Sequence, residues 1–173
     1  MFALAIFAVP QASATTSRIK DIVSIEGVRE NQLLGYGLVV GLNGTGDTLR
    51  NAPYTEQSLT AMLERLGINA KGTTMRPENV AAVMVTANLP AFSRQGTRID
   101  VSVSSMGDAE DLKGGTLLAT PMLGADGEVY VVAQGAVATA GFAASGESGS
   151  VTQGVPTAGR IANGGIVERE ITF

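Results

Sequence analysis

The sequence predicts an α+β fold: a mixed, mostly antiparallel sheet, one clear helix and a Gly/Ser-rich loop. Three observations carry that reading. Apolar runs with strand character outnumber helical patterns, a single window (55–66) sets its apolar residues at helical spacing, and residues 141–165 consist largely of Gly, Ser, Ala and Thr.

The elements follow in chain order. Residues 1–9 (MFALAIFAV) are almost wholly apolar, Pro10 breaks the run, and Ala12-Ser13-Ala14 supplies the small-x-small pattern of a cleavage site. Residues 1–14 therefore read as a signal peptide cut between Ala14 and Thr15. The run is far shorter than the roughly 20 apolar residues that span a bilayer, so export rather than anchoring is expected. Residues 18–28 (RIKDIVSIEGV) fit neither period and read as a short strand or irregular arm.

Residues 33–42 (LLGYGLVVGL) are apolar apart from their glycines and are followed by Asn43-Gly44-Thr45-Gly46-Asp47, which predicts a strand buried on both faces. In 55–66, Leu59, Met62, Leu63 and Leu66 fall at i, i+3, i+4 and i+7. Thr55 is the expected N-cap and Gly67 the expected left-handed terminator. Residues 80–87 (VAAVMVTA) read as a central strand buried on both sides. Residues 98–104 alternate Ile99, Val101 and Val103 with Arg98, Asp100, Ser102 and Ser104, the period of a strand with one wet face. Strands at 116–122 and 128–132 flank Gly124-Ala125-Asp126-Gly127, a hairpin signal.

These elements make 15–140 one α+β core domain. Residues 141–165 carry too few apolar anchors to offset the entropy of ordering, so a flexible loop is expected there. Residues 166–173 (IVEREITF) resume strand character as the start of a further strand or domain.

Composition excludes several chemistries. The 173 residues contain no His and no Cys, so Ser-His-Asp triads, Cys-His nucleophiles, zinc sites built on His or Cys, and thiolate-held clusters are ruled out. A chain that is 45% hydrophobic and 16% charged, with net charge -4, is a core-forming globular sequence. Its size lets it bury a fraction of about 0.7 of its surface without disulfides.

Gly35, Gly37 and Gly41 give GxGxxxG inside an apolar run, whereas a dinucleotide fingerprint is GxGxxG in a strand-to-helix turn. Asp108, Glu110 and Asp111 cluster beside Gly107 and Lys113, which reads as a solvated loop. Asp47 and Asp100 stand alone, and no spacing supports a Ser-Lys dyad from Lys71 with Ser104 or Ser105. No catalytic, cofactor or metal residue is assigned. Charge is distributed unevenly: residues 15–98 hold 9 basic and 7 acidic groups, residues 99–173 hold 3 and 9. Lys71, Arg76, Arg94 and Arg98 flank the apolar 80–87 run and form a candidate basic patch for an acidic partner.

At this point the residues resemble a known family. RIKD (18–21), GVRENQLLGYGLVVGLNGTGD (27–47), NVAAVMVTANLP (79–90), RQGTRIDVSVSSMGDAEDLKGGTL (94–117) and NGGIVERE (163–170) look like the flagellar P-ring protein, in the family's order. The resemblance covers nearly all of the chain after Ala14 and matches the N-terminal half of the family's proteins. It implies a structural protein of the periplasm, without enzymatic activity or cofactor. Such proteins assemble as a homo-oligomeric ring around the distal rod of the flagellar basal body, at the peptidoglycan layer. With the L-ring protein the ring acts as a passive bushing, and its assembly uses a dedicated periplasmic chaperone. Lys71, Arg76, Arg94 and Arg98 would then be candidates to face the rod. The competing expectation is a monomeric periplasmic module that binds or hydrolyses cell wall.

Overall fold

The computed structural model describes residues 17–23, 28–48, 53–65, 67, 77–146 and 149–171. The cleavage site at Ala14 and Thr15, and the basic residues Lys71 and Arg76, lie outside them. The elements are α1 (Ile19–Ile22), β1 (Asn31–Val40), α2 (Pro53–Arg65), a 3-10 turn (Pro77–Asn79), β2 (Val80–Leu89), β3 (Arg98–Ser105), β4 (Thr116–Leu123), β5 (Val129–Ala136), β6 (Ala138–Thr139), β7 (Phe142–Gly146), β8 (Gly149–Gln153) and β9 (Ala158–Val167).

Six strands close on themselves in the order β3-β2-β1-β4-β5-β9, because β9 pairs with β3 as well as with β5. Every pairing among the described residues is antiparallel, so the sheet is not mixed. β6 continues along β9, and β7 and β8 form a separate two-stranded sheet. Closure removes the exposed edges that an open sheet would present. The inward side chains fill the barrel: Leu33 and Val39 of β1, Val83 and Val85 of β2, Val101 and Val103 of β3, Leu117 and Met122 of β4, Val131 of β5 and Val167 of β9.

Closure also needs irregular strands. Between Gly35 and Val39 the partner residues on β4 run from Met122 to Leu117, one more on β4 than on β1. The same extra residue appears against β5, which places a bulge at Leu118 and Ala119. Buried Thr120 donates its hydroxyl to the Leu118 carbonyl at 2.7 Å. Gly37 lies beneath it: an added Cβ would meet the Thr120 hydroxyl at 2.2 Å, so only glycine allows β1 and β4 this approach.

The helix starts two residues before the expected point. Pro53 occupies its first turn, where the fixed φ and missing N–H do no harm. Thr55 is consequently not the cap but a buried residue within the helix. At the other end Gly67 has φ +84° and donates to the Glu64 carbonyl at 2.9 Å, as a left-handed terminator should. Leu59 and Met62 pack on a second cluster, Leu38, Val80 and Ala82, outside the barrel. Leu63 is only half-buried. Leu63→Ala should therefore cost about 1 kcal/mol rather than the full penalty of a core truncation, which urea unfolding would measure.

The helix also explains why β1 and β2 depart from expectation. It packs with the cluster of Leu38 and Val40 on β1 and Val80 and Ala82 on β2, so those halves are covered on both faces. Beyond it the strands alternate, and Leu34, Tyr36, Thr86 and Asn88 are exposed. The arm at 18–28 contains the helical turn α1.

The largest departure concerns 141–165, read from composition as a loop. Where described, it holds β7, β8 and most of β9. The strand β9 runs through the expected boundary at 165/166. Its glycines are there because neighbours come close: an added Cβ on Gly159 would sit 2.4 Å from Val137, and on Gly165 2.9 Å from Val131. Backbone pairing and the barrel's own inward side chains order a segment that brings few anchors of its own.

Candidate functional site

Asp47 is fully buried at the end of the Gly-Thr-Gly-Asp turn after β1. Its Oδ2 accepts from the Thr55 hydroxyl at 2.7 Å and the Ala82 amide at 2.8 Å, and its Oδ1 from the Ala109 amide at 3.2 Å. One carboxylate thus ties α2, β2 and the β3–β4 loop to β1. The turn fits because Gly46 and Gly107 lack side chains: an added Cβ on Gly107 would fall 2.1 Å from Oδ1, and on Gly46 2.4 Å from the Val80 carbonyl.

The acidic stretch 108–111 belongs to the same construction and is solvated only in part: Glu110 is exposed, whereas Asp111 is buried. Asp108 accepts from the Thr48 amide at 2.8 Å and from the Thr48 hydroxyl. Asp111 is buried and accepts from the Lys113 amide at 2.8 Å, while Thr45 bonds to the Asp111 carbonyl at 2.7 Å. Ala109 and Leu112 are buried beside them. These carboxylates are engaged by local donors, an arrangement that holds loops and leaves no opposed acid and base.

A second polar cluster lies on the outer face of β3 and β9. Five residues of β9, from Ile161 to Gly165, face three of β3, from Val101 to Ile99. At this double bulge Asn163 is left-handed, with φ 53°, a conformation that Asn tolerates better than most residues. Asp100 holds it by accepting from the Asn163 amide at 2.8 Å and from Arg160 Nη2 at 2.5 Å. Arg98 donates to the Asn163 carbonyl at 3.3 Å. The Asn163 amide first, and then Arg160, hold the Asp100 carboxyl below the usual carboxylate range. A carboxyl depressed by folding contributes stability above its unfolded value of about 3.9, lost as pH falls through the folded pKa. Asp100→Asn should accordingly lower stability at pH 6 and make the curve shallower below pH ~4, which thermal melts across that range would show.

Of the four residues in the predicted basic patch, the structure describes Arg94 and Arg98. Both are exposed at the β2–β3 connection, so they share one end of the barrel. The sequence missed the role of Asp47. A strand-turn signal ending in Asp, eight residues before the helical Thr55, was legible, but the Ala82 and Ala109 donors come together only in the fold. Among the described residues no three His, Cys, Asp or Glu side chains group to hold a metal ion, and no helix is long and apolar enough to cross a membrane.

Comparison with known proteins adds to this geometry. Residues 18–173 match the family described as Flagellar P-ring protein. The chain is 69% identical over 162 residues to the Flagellar P-ring protein of Rhodopseudomonas palustris (strain BisB5), covering 94% of this chain and 43% of that relative. It is 73% identical over 158 residues to that of Nitrobacter hamburgensis, covering 91% and 42%. Over 173 residues it is 68% identical to that of Nitrobacter winogradskyi, covering 100% and 46%. The chain spans less than half the length of these curated relatives.

Proposed function

The chain belongs to the flagellar P-ring protein family, and from that premise we propose that it serves as a structural subunit of the P ring. The ring surrounds the distal rod of the flagellar basal body in the periplasm and acts as a passive bushing at the peptidoglycan layer. The subunit is not an enzyme and uses no cofactor. Other copies of itself, the rod, the L-ring protein and a periplasmic chaperone are its partners.

The observation that carries this reading is the match along 18–173, which spans every strand of the barrel. A closed barrel clamped by a buried carboxylate supports it, since a bearing needs a rigid body. Arg94 and Arg98, exposed at one end of the barrel, face the rod. Exposed charges screened over about 8 Å at physiological salt centre a turning partner without locking it.

The test replaces the corresponding part of a family-length gene with these 173 residues in cells lacking their own P-ring protein. Swimming and a P ring visible in isolated basal bodies are expected. Export without either result would favour the monomeric cell-wall module. In the same cells, Arg94→Glu with Arg98→Glu should leave the exported protein folded and reduce swimming; unchanged swimming would remove these two residues from the rod-facing side.

A further inference from the structure

We infer that residues 17–23 of one copy dock on the outer face of β1, β4 and β5 of a second copy. Two apolar surfaces stand uncovered on the same chain. In and just after α1, Ile19, Ile22 and Val23 are 76%, 70% and 53% exposed, at the i, i+3, i+4 spacing that puts side chains on one side of a helical turn. On the barrel, Leu34, Leu123 and Val129 are 51%, 38% and 37% exposed. Leu34 pairs with Leu123 and Leu123 with Val129, so the three form one row across three strands. Leu34 and Leu123 line a hollow of about 570 Å³.

Charge supports this pairing. The arm carries Arg18 and Lys20 against Asp21, a net +1. A neighbouring hollow that shares Gln32, Gly124 and Ala125 with it is lined by Glu30 and Asp126, and the amides of Glu128 and Glu168 bond to its lining residues Asp126 and Tyr130. Against these four carboxylates stand Arg29 and Arg169, a net -2. A basic apolar arm therefore meets an acidic-rimmed apolar row. Because the two surfaces differ, the contact is heterologous and repeats from copy to copy, the kind of contact that closes rings. The inference rests on the ring reading for the presence of many copies, and names the contact they make.

The chain contains no cysteine, so introduced thiols report unambiguously. Ser17→Cys and Ala125→Cys chains, one of them tagged, are mixed and mildly oxidised. Mixed dimers should exceed either homodimer several-fold, and Leu34→Asp or Leu123→Asp in the Ala125→Cys chain should abolish the excess while circular dichroism stays unchanged. No excess, or an excess untouched by both aspartates, overturns the inference. So does a link that forms only within a chain carrying both cysteines, since the arm would then cover its own barrel. Rings formed without this link overturn the contact alone, whereas the link without rings in cells overturns the ring reading alone.

Discussion

Asp47→Ala should destabilise the chain by about 3–5 kcal/mol, among the largest effects of any single substitution. The change leaves the buried amides of Ala82 and Ala109 without an acceptor and Thr55 without its partner. Each orphaned buried donor costs about 1–3 kcal/mol. Asp47→Asn should cost clearly less. Its carbonyl can sit where Oδ2 receives Thr55 and Ala82, but its amide must then face the Ala109 N–H. Gly107→Ala should be damaging by itself, because the new methyl would overlap Oδ1. Combined with Asp47→Ala, that methyl enters vacated space, so the double variant should lose less than the two single losses added. Urea unfolding of the four chains, with constant m-values, measures this coupling. Additive losses would show that Asp47 and Gly107 do not share one packed centre.

Leu117→Ala should cost about 4 kcal/mol, within the range for large-to-small changes in a core. Leu117 is fully buried, facing Val39 of β1 and Gly135 of β5. In a closed barrel the strands on either side are fixed by their own neighbours, so the cavity cannot collapse. The half-buried Leu63 makes the comparison: its truncation should shift the urea midpoint several-fold less. Equal shifts would mean that helix and barrel contribute alike to the core.

These contrasts mark what the sequence made legible. β3 was plain because one wall of the barrel stays wet, and Arg98, Asp100, Ser102 and Ser104 alternate with Ile99, Val101 and Val103 along it. The β4–β5 hairpin was plain because Gly127 supplies the left-handed residue its turn requires, with φ +80°. The apolar runs of β1 and β2 were over-read. Leu34 and Tyr36 look like core in sequence, yet Leu34 stays exposed beyond α2, and Tyr36, whose hydroxyl bonds to Ser58 of α2 at 3.0 Å, remains exposed as well.

Residues 141–165, expected to form a loop, depart from expectation for a different reason. Composition measures the apolar surface a segment brings to a core, whereas Gly159 and Gly165 serve by bringing none, leaving room for Val137 and Val131. Two of the four basic site candidates, Arg94 and Arg98, do come to one end of the barrel. Asp47 could not be distinguished from a solvated turn residue, since two of its donors lie 35 and 62 residues away.

β9 closes the barrel with a Gly-rich segment, pairing with β3 on one side and β5 on the other. Hydrogen exchange on the folded chain reports this closure at single amides. The amides of Ser105 and Val167 donate across the β3–β9 seam to Thr157 and Thr97, each at 2.9 Å. If the seam is closed, both should exchange only on global unfolding, as slowly as the amides of β2. Exchange at the rate of an open loop, with β2 still protected, would contradict the closed barrel and the bearing role built on it.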